Sequence, residues 1–429
     1  MFNFVIKSLV LISLLIQYSS CCSSDSDCSL LGECNEGKCI CDPGWKGEKC
    51  GQVDLLPTPR DGGYRNASLS SWGGNAIKVG QEWHMFVSAM SHNCSLSDFS
   101  TNSLSIHAIS ENPGGPYALT DISLPEFHHS TQIMQVNSST LALFAIGIDT
   151  DGQNVHMCDQ EMVSIAPKST DSDEEELGPH DYMSVSTSTS GPDGPWEERV
   201  IFKTNLSEPY AWNCNKSNPA PIIFENGTVL LMYRGMPCER DNSCKNDTIN
   251  LCQHQGIAVA ESIDGPFIDR QGKISELSGN EDAVFFRTHR GYAALFHSKN
   301  ACGVEQEEQM PCGSLAYSKD TWSWTLNSEP AYNGTFQWKE TNGEVTTDQL
   351  ISRQRPKIIF SEDGITPLFL TNGVEISEEE WNEFTVAAPF NVPENQETTM
   401  RCPEYDWNLN GNTMGVIDNV ETWEDCGKP

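Results

Sequence analysis

Basic residues are scarce: 26 Lys and Arg stand against 60 Asp and Glu in 429 residues, a formal net charge of -34. A field of that sign repels phosphate backbones, which excludes nucleic acid as an expected partner and says nothing of the fold. Long apolar runs are also missing. Leu9 to Ile16 is too short to span a bilayer, and no other stretch approaches that length. Residues 1–21 instead read as a secretory signal, with Lys7 ahead of the apolar run and small Ser19, Ser20 and Cys21 at the cleavage site. A secreted, extracellular chain without a membrane span is expected. The acidic run Asp171–Glu176 lacks the ligand spacing of a calcium loop and reads as a solvated loop. No metal and no cofactor are expected.

What is present is repetition. Ser105-Ile-His-Ala-Ile-Ser-Glu-Asn-Pro-Gly-Gly-Pro-Tyr117 returns at Met183–Trp196 and at Gly256–Phe267, and more weakly at Ser314–Trp324. Each copy is an alternating strand, a Gly/Pro/Asp turn and an aromatic that opens the next strand. A second repeat, strand–turn–strand, runs over 75–87, 131–144, 219–233, 282–296 and 356–370. Asn226-Gly227 and Asp363-Gly364 are strong hairpin signals, because both central residues of the favoured turn need positive φ. Two interleaved β repeats predict an all-β fold, a five-bladed propeller over residues 55–400, with the hairpins innermost. Trp322 and Trp324 are expected to share one face and pack between blades. Residues 401–429 read as a C-terminal tail.

Cysteine is plentiful, with 17 in the chain. Cleavage after Cys21 would leave an even number. Cys302 with Cys312 and Cys402 with Cys426 are candidate staples. Sequons at Asn66, Asn137, Asn205, Asn226, Asn246 and Asn333 point to a glycoprotein, with weaker ones at Asn93 and Asn215. Cys22, Cys28, Cys34, Cys39, Cys41 and Cys50 crowd a segment with too few apolar residues for a core, so bridges must hold it. Its tail, Cys39-Ile-Cys-Asp-Pro-Gly-Trp-Lys-Gly-Glu-Lys-Cys50, resembles an epidermal-growth-factor-like domain over 22–51. The resemblance implies pairs 22–34, 28–39 and 41–50, tight turns at Gly44 and Gly47, an exposed aromatic at Trp45 and an extracellular protein partner for the module.

Propellers of this kind work at one end of the central channel, where the inner strands start. The residues there are Gly74 and Asn75, His128 and His129, Asn218, Glu281 and Asp282, and Arg353 and Arg355. The segments Ser71-Trp-Gly-Gly-Asn75, Asn102–Ser110, Asn218-Pro-Ala-Pro, Asn280-Glu-Asp282 and Arg353-Gln-Arg-Pro356 resemble the five-bladed glycoside hydrolases of family 43 and its arabinanase, levansucrase and invertase relatives. The resemblance implies three carboxylates, one for acid, one for base and one to tune a pKa. By position they fall on Asn75, Asn218 and Glu281 or Asp282, so two of the three are amides, which cannot take a proton at neutral pH.

Two readings stay open. In the first, the chain hydrolyses extracellular polysaccharide with Glu281, Asp282 and His129 as acid–base groups, while Asn75, His128, Asn218, Arg353 and Arg355 bind substrate. In the second, the propeller has lost catalysis and serves as a glycan-binding, adhesion or interaction protein. Adjacent Glu281 and Asp282 are expected to face opposite ways in a strand, so one reaches the channel. Apolar Ala283–Phe286 beside them are expected to raise that carboxyl's pKa toward a general acid's. His84, His107 and His297 read as structural.

Overall fold

The computed structural model describes residues 21–150, 155–158, 177–239, 252–270, 272–298, 311–376 and 383–393. Residues 1–20, 171–176 and 401–429, with Asn246, Cys302, Cys402 and Cys426, lie outside the described residues.

Each strand–turn–strand repeat folds into the first two strands of an antiparallel sheet, and each recurring phrase supplies the third strand and the turn after it. Blade one is Ser71–Val79, Glu82–Met90, Ser103–Ser110 and Ala118–Leu124. Blade two is His129–Asn137, Thr140–Ile146, Tyr182–Ser188 and Glu197–Lys203. Blade three is Asn215–Ile223, Val229–Met236, His254–Ala260 and Ile268–Asp269. Blade four is Asn280–Thr288, Gly291–Ser298, Gly313–Ser318 and Thr325–Leu326. Blade five is Ser352–Phe360, Pro367–Glu375 and Glu383–Pro389. First strands of successive blades pack side by side, and that of blade five packs on that of blade one, which closes the ring. Isolated bridges from Leu55 to Phe390 and from Tyr64 to Thr385 lay the chain start along the outer edge of blade five. This covers an edge that would otherwise expose unpaired backbone groups.

Apolar residues of each strand fill the space between neighbouring sheets. Ile222, Leu230 and Met232 of blade three meet Phe285 and Phe296 of blade four in one buried cluster. Trp324 belongs to it, stacked edge-on to Phe285. Trp322 does not share that face. It is 39% exposed under the Arg270 guanidinium, because 319–323 is a bend and not a strand, so the period-two rule does not apply.

The N-terminal module has disulfides Cys22–Cys34, Cys28–Cys39 and Cys41–Cys50, and Cys21 is free. It does not hang loose. Trp45, expected to be exposed, is 6% exposed, stacked on Phe286 and tilted against Phe390. Arg290 of blade four pairs with Asp25 and Asp42 of the module. A module too small for its own core thus borrows one from blades four and five. Cys94–Cys158 and Cys214–Cys238 bridge the propeller. No helix among the described residues is long and apolar enough to cross a membrane.

Candidate functional site

One backbone device recurs in all five blades. The ladder between first and second strands slips register between Ser71 and Gly74, His129 and Gln132, Ser217 and Ala220, Glu281 and Val284, and Gln354 and Lys357. At each slip one residue has left-handed backbone: Gly73 at φ +74°, Ser130 at +56°, Asn218 at +56°, Asp282 at +59° and Arg355 at +52°. A bulge re-aims the side chain it carries, and positive φ at a non-glycine residue persists only where its surroundings hold it. Here the residues hold one another. Asp282 Oδ1 accepts from Arg355 Nη1 at 2.5 Å and also from the Asn218 amide. Arg355 Nη1 reaches Ser130 Oγ at 3.0 Å. At Gly73 an added Cβ would stand 2.5 Å from the Arg355 Cβ, so only glycine lets that arginine in.

The bulge also overturns the expectation that Glu281 and Asp282 face opposite ways. Left-handed Asp282 breaks the alternation, and both carboxylates gather about His297, whose Nδ1 lies 3.3 Å from Glu281 and 3.8 Å from Asp282. Glu281 also accepts from Arg234 Nη1 at 2.7 Å, and Arg234 Nε donates to Ser217. Burial pushes the Glu281 pKa up, but His297, Arg234 and Arg355 outweigh it and hold the group well below the usual carboxylate range. The expected raised pKa is therefore reversed, because cations surround the acid as well as apolar side chains.

His129 is buried, and its pKa is driven down first by burial and then by Arg355. Its Nε2 accepts from Arg355 Nη2 at 3.1 Å, so Nδ1–H donates to Ser103 Oγ at 2.7 Å. Both nitrogens of this neutral ring are engaged. Three residues expected to bind substrate have side chains committed elsewhere. Asn75 accepts from and donates to the Ile133 backbone, joining blade one to blade two. His128 spends its nitrogens on Pro125 O and Glu198. Arg353 is buried against Asn372, Asn333 O and the Tyr332 ring.

Sequence reading missed Arg234, His297, Ser130 and Lys357. Lys357 donates to Ala283 O at 2.8 Å, and burial lowers its pKa to about 7 against the pull of Asp282. The signal for Ser130 was its place beside His129 in a ring of equivalent positions. Arg234 and His297 come from second strands, on which no search for inner-strand residues would fall.

A family model, Teneurin-like EGF domain, matches residues 22–53. No curated protein matches the chain. Among solved structures the chain is similar to Zg3597, a family 117 glycoside hydrolase from the marine bacterium Zobellia galactanivorans. Identity is 13%, over 80% of this chain and 92% of that one, with a TM-score of 0.48. It is also similar to a thermostable family-43 glycoside hydrolase, at 10% identity over 86% and 98% of the two chains, TM-score 0.45. A third is the exo-beta-1,3-galactanase of Phanerochaete chrysosporium, at 10% identity over 85% and 70%, TM-score 0.43.

Proposed function

We propose that this chain is a secreted glycoprotein whose propeller binds glycan at the bulge end of the channel and does not hydrolyse it. The observation that carries the reading is the protonation pattern. A glycosidase needs one carboxyl able to give up a proton near the working pH. Glu281 is held ionised, Asp282 is bonded to Arg355 and Asn218, and His129 is neutral with both nitrogens used. Glu281, Arg234 and Arg355 keep partial access, at 16%, 18% and 14% side-chain exposure, and offer acceptors and donors for sugar hydroxyls. Lys357 favours a second reading, catalysis, since an amine titrating near neutrality beside Asp282 is a proton carrier.

The proposed layout is a signal over 1–21, the module over 22–51, the propeller over 55–400 and a tail over 401–429. Proposed glycan acceptors Asn137, Asn205, Asn226 and Asn333 are exposed and Asn66 is half-buried. A protein partner of the module would meet the face that carries Ile40, 56% exposed.

A glycan array and a polysaccharide digestion screen on wild type and Glu281→Gln test the reading. The wild type should bind a subset of glycans and release no reducing ends. Glu281→Gln should weaken binding about tenfold or more, the scale of one charged hydrogen bond. Reducing ends released by wild type and lost in Glu281→Gln would restore hydrolysis. No glycan binding at all would end the carbohydrate reading.

A further inference from the structure

We propose that the cavity between the N-terminal module and blade five binds a small carboxylic acid, with its carboxylate on Arg353 and its apolar body on Leu55, Leu56, Tyr332 and Phe336. Glu281, Asp282 and Arg355 of the channel mouth do not line this cavity, so the proposal does not depend on the glycan reading.

Three pieces of the chain converge on Arg353, which stands near the start of Ser352–Phe360. The module brings Lys46 and Gln52, and the segment that leaves it brings Leu55 and Leu56. The chain between blades four and five brings Tyr332 and Phe336. Together they surround about 430 Å³, a volume in the range of small-molecule sites. Tyr332 and Phe336 are buried in the wall, whereas Leu56 is 45% exposed, so the cavity opens to solvent on that side.

Arg353 itself is 2% exposed, and among the described residues no carboxylate pairs with it. Its Nε donates to Asn372 Oδ1 at 3.0 Å and its Nη1 to the Asn333 carbonyl at 3.1 Å. Nη2 is buried and makes no hydrogen bond. The Tyr332 and Phe336 ring centres lie 4.4 and 5.1 Å from the guanidinium carbon and offer the charge their π faces. Burial lowers the pKa only to about 10, so the group stays charged at neutral pH. A buried cation without an anion is costly, and so is a buried N–H that donates to nothing. One negatively charged acceptor answers both. The other polar groups of the wall are engaged: Lys46 pairs with Asp54 at 3.1 Å, and Gln52 donates to Glu329 at 3.0 Å. A single uncompensated cation matches a single negative charge, which selects a carboxylate over a phosphate dianion. Nη2 is placed to donate to a carboxylate oxygen, and the apolar wall takes the rest of the molecule. Bound there, the acid would join the module side of the cavity to blade five.

The test titrates the full secreted chain by calorimetry with hexanoate and phenylacetate. Hexanamide and phenylacetamide, which keep the shape and lose the charge, serve as controls. Wild type should bind at least one acid at about one equivalent. The matching amide should bind at least about tenfold more weakly, the scale of a charged hydrogen bond. Arg353→Met should abolish acid binding. Because Arg353 is buried, Leu56→Glu supplies an exposed change that keeps the fold. Its new carboxylate at the opening should weaken acid binding about fivefold with Tm unchanged. A wild type that binds neither acid at millimolar concentration would mean that water alone fills the cavity, and overturns the proposal. So does an amide that matches its acid, or inorganic phosphate that binds as tightly as the acids. Acid binding left unmoved by Leu56→Glu, or kept by a folded Arg353→Met, overturns it equally.

Discussion

The same five strands build both ends of the channel, and the two ends are finished in opposite ways. Where the strands start, five bulges turn Gly73, Ser130, Asn218, Asp282 and Arg355 toward one another, and charge is paired in a buried network. Where they finish, no first-strand residue has left-handed backbone, and the strands surround a funnel of about 470 Å³ lined by Lys78, Trp83, Glu225, Phe285, Arg287 and Glu362. The charges there stay near water: Lys78 meets Glu362 at 3.1 Å with side chains 36% and 83% exposed. A left-handed residue in each strand therefore separates a place that can specify ligand chemistry from one that merely closes the fold.

That contrast predicts unequal answers to one substitution. Arg355→Met should destabilise by about 3–5 kcal/mol, because it leaves the Asp282 carboxylate buried without its cation. Lys78→Met should stay within about 0.5 kcal/mol, since exposed pairs contribute little. Urea unfolding of both variants gives the comparison. Equal, small losses would mean the mouth is not held by its charges.

Which of these bulges could be read beforehand depended on residue type. Asn and Asp are enriched in left-handed backbone, and Asn218 and Asp282 stand nine residues before Gly227 and Gly291, so the register was legible there. In blade one the left-handed residue is Gly73, seven before Gly80, so the same count misses it and the expectation settled on Asn75. In blade two the hairpin lacks a glycine, and Ser130 carries no local signal for positive φ, so the neighbouring histidines drew the assignment. Five blades were legible because hairpin turns and alternation are local. The Arg234–Glu281 contact joins strands of different blades, and no spacing encodes it, whereas His297 stands directly opposite Glu281 in the hairpin of its own blade.

The module sits beside the funnel end, which sharpens the contrast from the other side. Trp45→Ala should cost about 3 kcal/mol, as the indole fills a buried space between Phe286 and Phe390. The disulfides should stay formed while the module loosens, seen as faster limited proteolysis around residues 50–60. Unchanged proteolysis would mean that polar contacts, such as those of Arg290 and of Ser29 with Asn327, hold the module without the indole.

Acid should act on the mouth first. The folded pKa of Glu281 is depressed, so the unfolded state binds more protons as pH falls. The stability from this group is fully present above the unfolded value near 4.3 and is lost as pH drops below it. The Tm of wild type should fall on that limb, with Glu281→Gln showing a shallower slope worth on the order of 1–2 kcal/mol. Parallel slopes would mean that the Arg234 contact does not favour the ionised form.

The finest comparison makes one change, Gly to Ala, at the two ends. Gly227 has φ +88° in a hairpin turn at the funnel end, and an added Cβ would meet nothing nearer than Glu261 O at 3.8 Å. Only the intrinsic penalty of left-handed backbone applies, so Gly227→Ala should cost about 1–2 kcal/mol. Gly73 has φ +74° at the mouth and would bring its Cβ within 2.5 Å of the Arg355 Cβ. That contact is with the root of a side chain pinned by Asp282, Ser130 and His129, so it cannot swing aside. Gly73→Ala should therefore exceed Gly227→Ala by about 1–3 kcal/mol, the usual cost of overpacking. In the Arg355→Met background the Met root still occupies the same place but is no longer pinned, so the excess should shrink. A double-mutant cycle measures this directly. Additive losses would show that Gly73 and Arg355 do not share one packed mouth.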